Sequence, residues 1–309
     1  MISRTDNIGD VILTLPLAGY LKSQYGDKYH ISFLGKSYTK DIIESCPDID
    51  AFYDVNELNT EKLKELSLDW FFHIFPNKDL AIMAKQAGIA NRVGTSHRLF
   101  HWGKCNHRVS FTRKKSDLHE SQLNFKLLKP LIGEVAPSLE EIAGYARFSN
   151  QALESHPKTV ILHTMSNGSA VNWSFEKFKQ LSRDLVKAGF QVSLTGTEKE
   201  GQIIRSEFSE EIAEGICHDV TGKFNLKELM DYIKGCHSLV AASTGPLHLA
   251  SVLGIHALGL YSQVRPLHAG RWAPVGKNVH ILQADDYGRQ PDINLISCQR
   301  VLDQIVAIG

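Results

Sequence analysis

Several short segments pair residues that can do chemistry with glycines that let another molecule come close. The first is Asp6-Asn7-Ile8-Gly9-Asp10. Gly9 permits a tight turn and a close approach. Asp10 offers a carboxylate near a helix start, where it can take a proton from a bound hydroxyl. The plainer reading is that Asp10 caps that helix and complements its dipole. The second segment is Ser243-Thr244-Gly245-Pro246-Leu247-His248. Pro246 suits a first helical turn, and two hydroxyls beside exposed backbone N–H groups make an anion site. An ordinary capped turn would use the same residues. The third is Thr164-Met165-Ser166-Asn167-Gly168-Ser169, a small polar loop that reads either as a phosphate cradle or as a flexible connection. Gly196-Thr197-Glu198 could set a carboxylate against a ribose hydroxyl. None of these is a P-loop or a dinucleotide fingerprint.

From Arg92 to His119 the chain is locally basic. Arg92, Arg98, Lys104, Arg108, Arg113, Lys114 and Lys115 face one acid, Asp117. Such asymmetry fits an anionic partner or surface, and Phe100 and Trp102 in the same stretch could rest at a lipid headgroup layer.

The elements that must hold these residues follow from the apolar pattern. Short apolar runs at Ile31–Leu34, Trp70–Ile74, Val160–His163, Val192–Thr195, Leu239–Ala242 and Ala257–Tyr261 read as strands. A further, very short strand precedes Thr5. Helical periodicity runs from Val11 through Leu21, from Phe175 to Val186 with Ser174 as N-cap, and from Leu226 to Ile233. Pro246 through Leu253 makes another helix, stopped at Gly254, and Asn294–Ile308 reads as a terminal one. Strand–helix alternation of this kind implies parallel sheets covered by helices. Each chemical segment then follows a strand, which is where such sheets collect ligands. The polar stretch Arg147–Lys158 marks a domain boundary.

Composition narrows the class. The 309 residues are enough for about two domains. Apolar residues at 43% and charged residues at 22% describe a globular protein with real cores, not a disordered chain. Net charge is zero, which argues against a dedicated nucleic-acid binder. No apolar run is long enough for a membrane span, and no signal peptide is read at the N-terminus. The five cysteines are scattered, and His97 and His101 lack a third ligand, so no metal site is expected.

Taken together, the motifs resemble a known family. RTDNIGDVILTLPL is similar to the N-terminal signature of bacterial heptosyltransferases and their relatives, glycosyltransferase family nine. HTMSNGSAVNWSFEKF resembles the motif that opens that family's second domain, and STGPLHLASVLG resembles its C-terminal nucleotide-sugar motif. The resemblance implies the GT-B fold: two Rossmann-like, doubly wound α/β domains facing a central cleft. Residues 1–150 would be the acceptor domain, 157–290 the nucleotide-sugar domain and 291–309 a terminal helix.

It further implies inverting transfer of a sugar from a nucleotide diphosphate, with no cofactor and no metal in the chemistry. ADP-heptose is the leading donor. An anionic glycolipid such as lipopolysaccharide core, at the inner membrane surface, is the leading acceptor, with the protein cytoplasmic or peripheral there. Asp10 takes the position of the family's proposed general base. Thr164, Ser166, Gly168, Ser169, Glu198, Ser243, Thr244, Gly245, His248 and Arg271 are assigned to the donor. Asn7, Arg98, Arg113 and Lys115 are assigned to the acceptor.

Two positions depart from characterised members. Val171 stands where they carry Lys, and Ser243 stands where they carry Asp; Arg265, Arg271 or Lys177 would compensate for the lost positive charge. Two other readings remain open on the sequence. One is a catalytically silent nucleotide-sugar binder, and the other is a nucleotide-sugar epimerase on the same fold.

Overall fold

A computed structural model describes residues 1–113, 116–149, 152, 154–166, 168 and 170–309. The chain divides into two compact units, Met1–Ser149 and Asn150–Gly309. Each is built on one six-stranded sheet, and every strand pairing is parallel.

The first sheet uses β1 (Ile2–Ser3), β2 (Ser32–Gly35), β3 (Ala51–Asp54), β4 (Trp70–His73), β5 (Asn91–Thr95) and β6 (His107–Val109), in the order β3-β2-β1-β4-β5-β6. Strand β1 has two residues yet is central. Flanking bonds lengthen its ladder: Phe72 N–H donates to Met1 O at 2.9 Å and Arg4 N–H to Leu34 O at 3.0 Å. The reversal of strand order at β1 and β4 is a topological switch point, where ligands gather beyond the carboxyl ends.

The expected helix from Val11 to Leu21 is broken. Helix Ile8–Ile12 ends, and helix Pro16–Tyr25 begins after three further residues. Pro16 cannot continue the first ladder but suits a new helix start. The Leu13 carbonyl freed by the break accepts from Ser121 Oγ at 3.0 Å and Asn124 Nδ2 at 3.2 Å. A helix at Glu120–Phe125 is thereby tied to the turn after Asp10. Helix Pro16–Tyr25 also packs on helix Leu139–Tyr145, and the approach is so close that a Cβ at Gly19 would sit 2.1 Å from the Tyr145 carbonyl oxygen.

The second sheet uses β7 (His156–His163), β8 (Gln191–Leu194), β9 (Cys217–Asp219), β10 (Cys236–Ala242), β11 (His256–Tyr261) and β12 (Val279–Gln283), in the order β12-β11-β10-β7-β8-β9. Strand β7 starts four residues earlier than the apolar run, inside the stretch read as a boundary. Pro157 lies in it, and the β7–β10 register shifts between Cys236 and Ser238; proline cannot donate to a ladder and is tolerated at strand starts and irregularities. Helix Phe175–Lys187 starts at Ser174 as expected, its hydroxyl accepting from Lys177 N–H at 3.4 Å. Its apolar face joins Val160, Leu162, Val192, Leu194, Val301 and Ile305 in one core.

The terminal helix covers Cys298–Ala307 and is shorter than the reading of 294–308. Ser297 supplies its N-cap, and Ile293–Leu295 forms a separate single turn held by Asp292. Among the described residues no helix is long and apolar enough to cross a membrane. All five cysteines are free.

Candidate active site

In the first unit the chemistry gathers around Arg4, at the carboxyl end of β1. Its side chain is 4% exposed and reaches three carboxylates. Nε donates to Asp6 Oδ1 at 2.7 Å, Nη1 to Glu120 Oε1 at 3.2 Å, and Nη2 to Asp10 Oδ1. Glu120 is shared, because Arg113 Nε donates to the same oxygen at 2.8 Å. Asn124 Oδ1 accepts from both guanidiniums, at 3.4 Å from Arg4 and 3.2 Å from Arg113. Buried charges need such partners: Arg4 lies among three acids, and Arg113 shares one of them.

Asp10 stands in the first turn of its helix, but its carboxylate is committed to Arg4 and does not cap. Burial pushes its carboxyl up to about 6, Arg4 pulls the other way, and Asp6 and Glu120 add to the push. A carboxylate touching a guanidinium ordinarily titrates low. Desolvation and two further acids outweigh that contact here. For Arg4, burial opposes the charge, yet Asp10, Asp6 and Glu120 overcome it and hold the guanidinium more firmly protonated than free arginine.

Asn7 occupies the N-cap position, is exposed, and makes no side-chain capping bond. Tyr38 sits alongside, half exposed, its hydroxyl donating to the Asp6 carbonyl.

In the second unit β10, β7 and β8 are adjacent and in register, Ala241 opposite His163 and Leu162 opposite Leu194. Their carboxyl ends therefore deliver Ser243–His248, Thr164–Ser166 and Gly196–Glu198 to the same end of the sheet. Thr244 is the N-cap residue of helix Gly245–Leu253, with no side-chain capping bond. Its Oγ1 and that of Thr164 are buried without a hydrogen-bond partner among the described residues. Buried hydroxyls are normally satisfied, so these two, one of them at a helix N-terminus, retain an unused capacity to donate.

Ser243 bonds the Tyr261 hydroxyl, which itself donates to Trp272 O at 2.8 Å. His248 is buried on the same helix, and Arg271 lies in the short helix Ala269–Trp272 with its guanidinium 5.0 Å above the Trp272 ring. Ser166 Oγ closes the loop onto Ala170 O at 2.7 Å, and Gly168 holds a φ of 81° that favours glycine. Ser169, Lys114 and Lys115 fall outside the described residues.

Residues 81–298 match the model of glycosyltransferase family 9 (heptosyltransferase). The chain belongs to glycosyltransferase family 9. It is similar to a Haemophilus influenzae protein named "Putative glycosyltransferase", 27% identical over 99% of this chain and 95% of that one. Among solved structures, a glycosyltransferase family 9 protein from Veillonella parvula superposes with a TM-score of 0.75 at 18% identity, covering 100% of this chain and 97% of that one. The E. coli heptosyltransferase WaaC with ADP gives 0.77 at 14% identity, covering 100% and 99%. Those likenesses show the fold, GT-B with two Rossmann-like halves. The family makes the protein a glycosyltransferase.

Several assignments on this family 9 enzyme acquire a different local meaning. Glu198 forms an ion pair with Arg205 at 2.6 Å, so its carboxylate already has a partner on its own helix. Arg113 is engaged with Glu120, Asn124 and the Ile74 carbonyl. Arg98 is exposed. Lys177 Nζ donates to Ile296 O at 3.0 Å, so one of its three N–H donors is engaged in the fold. Val171 packs against the second unit's core. Trp173, 1% exposed, donates to the same Ile296 carbonyl at 3.1 Å, and Ser174 N–H bonds Asn294. This part of the second-domain motif fastens the approach to the terminal helix.

Arg4, Glu120, Asn124 and Tyr38 were not singled out in the sequence. Arg4 had a signal: an arginine two and six residues before the acids of the first motif. Glu120 had none, since 116 positions separate it from Arg4. A cavity of about 890 Å³ in the second unit lies against the leading residues of β7, β8 and β9 with Phe224 and Tyr232. None of the candidate donor residues lines it. The strand-end loops that carry the unpartnered hydroxyls are a different place from this cavity.

Proposed function

We propose that this glycosyltransferase moves a sugar, heptose being the leading candidate, from a nucleoside diphosphate to a hydroxyl of a lipid-linked glycan such as lipopolysaccharide core, with inversion. The observation that carries this reading is Asp10: a carboxylate held by one buried guanidinium, with burial and two neighbouring acids raising it to about 6. Such a group is ionised at neutral pH and basic enough to take a hydroxyl proton as the new bond forms. Asn7 and Arg98 are assigned to the acceptor; Arg113 joins them with its bond to Glu120 as the competitor.

The departing diphosphate needs donors aimed at its growing charge. Thr164, Thr244, the N–H groups at the start of helix Gly245–Leu253, His248 and Arg271 are assigned that work, with Ser166, Gly168, Ser169, Glu198 and Ser243 around the nucleotide and sugar. No step assigned to these residues calls for a metal ion. The relatives support the donor class: solved E. coli heptosyltransferase structures hold ADP and an ADP-heptose analogue. A membrane-borne acceptor would place the protein at the inner membrane surface.

The test pairs Asp10→Asn with a nucleotide titration. Native protein should be stabilised against heat by ADP, or by ADP-heptose, more than by UDP or GDP, since a ligand of the native state raises stability by RT ln(1 + [L]/Kd). Asp10→Asn should keep that stabilisation and lose transfer by roughly 10²–10⁴-fold, the range typical of a lost general base. Unchanged turnover would remove Asp10 from the mechanism. Stabilisation by UDP or GDP alone would keep transfer and discard the adenosine donor.

A further inference from the structure

Between Asp79 and Asp117 the chain carries no acidic residue. Within that stretch the segment joining β5 to β6 makes a compact projection. Leu99 at its tip is 85% exposed, and Trp102 is 56% exposed. Arg98 and Arg108 are also exposed, and the Arg108 guanidinium lies 4.9 Å over the Trp102 ring. Lys85, exposed, reaches the base of the projection, its Nζ donating to Gly103 O at 2.8 Å. Lys104 is half exposed beside it.

The projection is held rigidly from within. His101 is fully buried, its Nδ1 3.0 Å from Thr95 N and O, and its ring packs where a Cβ on Gly94 would fall, 2.6 Å away. Trp102 Nε1 donates to Ser96 O at 2.8 Å, and Arg108 Nη1 to Cys105 O at 3.0 Å. Phe100, assigned to a headgroup layer with Trp102 on the sequence, turns inward against the His101 ring at 4.7 Å, and Leu99 takes the outer position instead. The interior contacts thus fix a turn that faces two large apolar side chains outward among cations. Leu99 at 85% exposure buries almost nothing, and Trp102, though its indole N–H is tied to Ser96, leaves more than half its surface in water. An apolar tip ringed by cations matches one kind of surface, anionic headgroups above an apolar layer, with tryptophan at the boundary.

We propose that residues 96–108 form a membrane-contact projection that inserts Leu99 and Trp102 among anionic phospholipids, with Arg98, Lys104, Arg108 and Lys85 against the headgroups. This names the contact surface for the membrane-borne acceptor proposed above, but vesicles free of any glycan test it separately.

The experiment is co-flotation of the purified chain with vesicles of phosphatidylcholine alone or mixed with phosphatidylglycerol. The native protein should float with the mixed vesicles, stay behind with phosphatidylcholine alone, and be released by high salt. Its tryptophan emission should shift to the blue on binding, and Trp102→Phe should abolish most of that shift. Leu99→Ser combined with Trp102→Ser should weaken binding by on the order of tenfold or more. The single Leu99→Asp, at so exposed a position, guards against a folding defect. Tyr287→Ser changes a side chain that is 81% exposed in the other unit, and should leave binding intact. No binding to mixed vesicles, binding unaltered by the Leu99 and Trp102 changes, or an equal loss with Tyr287→Ser would each overturn the proposal. Asp10→Asn should float like the native chain, so a failure of the transfer reading leaves this result standing.

Discussion

The two units prepare for chemistry in opposite ways. Around Arg4 the charged groups satisfy one another: the guanidinium holds Asp6, Asp10 and Glu120, and Glu120 also holds Arg113. At the strand ends of the second unit, Thr164 and Thr244 carry buried hydroxyls with no partner among the described residues. The first arrangement sets the basicity of one carboxylate before anything binds. The second leaves hydrogen-bonding capacity unused, which the proposed donor would take up. Substitution in the first unit should therefore register as stability and pH dependence, and substitution in the second as affinity.

The largest effect should come from Arg4→Met. It leaves Asp6, Asp10 and Glu120 crowded without their shared cation. Removing one side of a buried ion pair typically costs about 3–5 kcal/mol. The sign with pH follows from the carboxylates. Arg4 is what holds the Asp10 value down, so its loss raises that value further; the added penalty is absent below the unfolded value near 4 and is reached in full as pH rises through the native one. Denaturant unfolding at pH 5 and pH 8 should show the larger deficit at pH 8. Equal deficits would mean that Arg4 acts through packing alone.

The opposite pattern is expected for Thr244→Val and Thr164→Val. Each replaces an unpartnered buried hydroxyl with a methyl of similar size, so the melting temperature of the free protein should hold or rise slightly. A hydrogen bond to a charged group contributes about 1.5–3 kcal/mol, so binding of a nucleoside diphosphate should weaken by roughly tenfold or more. Calorimetric titration with ADP measures it. A fall in stability with unchanged affinity would show that these hydroxyls serve the fold and would erase the contrast between the units.

The motifs on both sides of this contrast are legible in the sequence; the contacts that make it are not, for a physical reason. Segments where propensity, caps and apolar period agree are legible: Ser174 opening its helix, Gly254 closing another, and the loops that follow β7 and β10. Strands β3, β5, β6, β9 and β12 are short or carry polar residues such as Asn91, Arg92 and His218, so no apolar run announces them. The break after Ile12 hid in an otherwise helical pattern because its loose carbonyl is satisfied by Ser121 and Asn124, far along the chain. The same distance concealed Glu120. Asp10 could be singled out because its motif is local, whereas the groups around it are brought together only by folding. Trp173 shows the converse: a motif residue near a proposed ligand loop whose indole fastens the terminal segment.

The finest test of the contrast is the acid limb of the rate profile. A base works only when ionised, so kcat/KM should rise with pH through the Asp10 value of the free enzyme, held near 6. Glu120 is one of the acids that raise it. Glu120→Gln removes that negative charge and also frees Arg4 and Arg113 to act more strongly on Asp10. Both changes favour the ionised carboxylate, so the limb should move to lower pH, by about one unit if the coupling is near 1.4 kcal/mol. The plateau at high pH should change less than the limb, because the amide oxygen of the substituted side chain can still accept from one guanidinium. A base that titrates lower is also weaker, so a modest fall in plateau should accompany the shift. If the limb stays where it was while the protein remains folded, either Asp10 is not the titrating group or Glu120 is too well screened by its two arginines to reach it. A limb that survives in Asp10→Asn decides for the first.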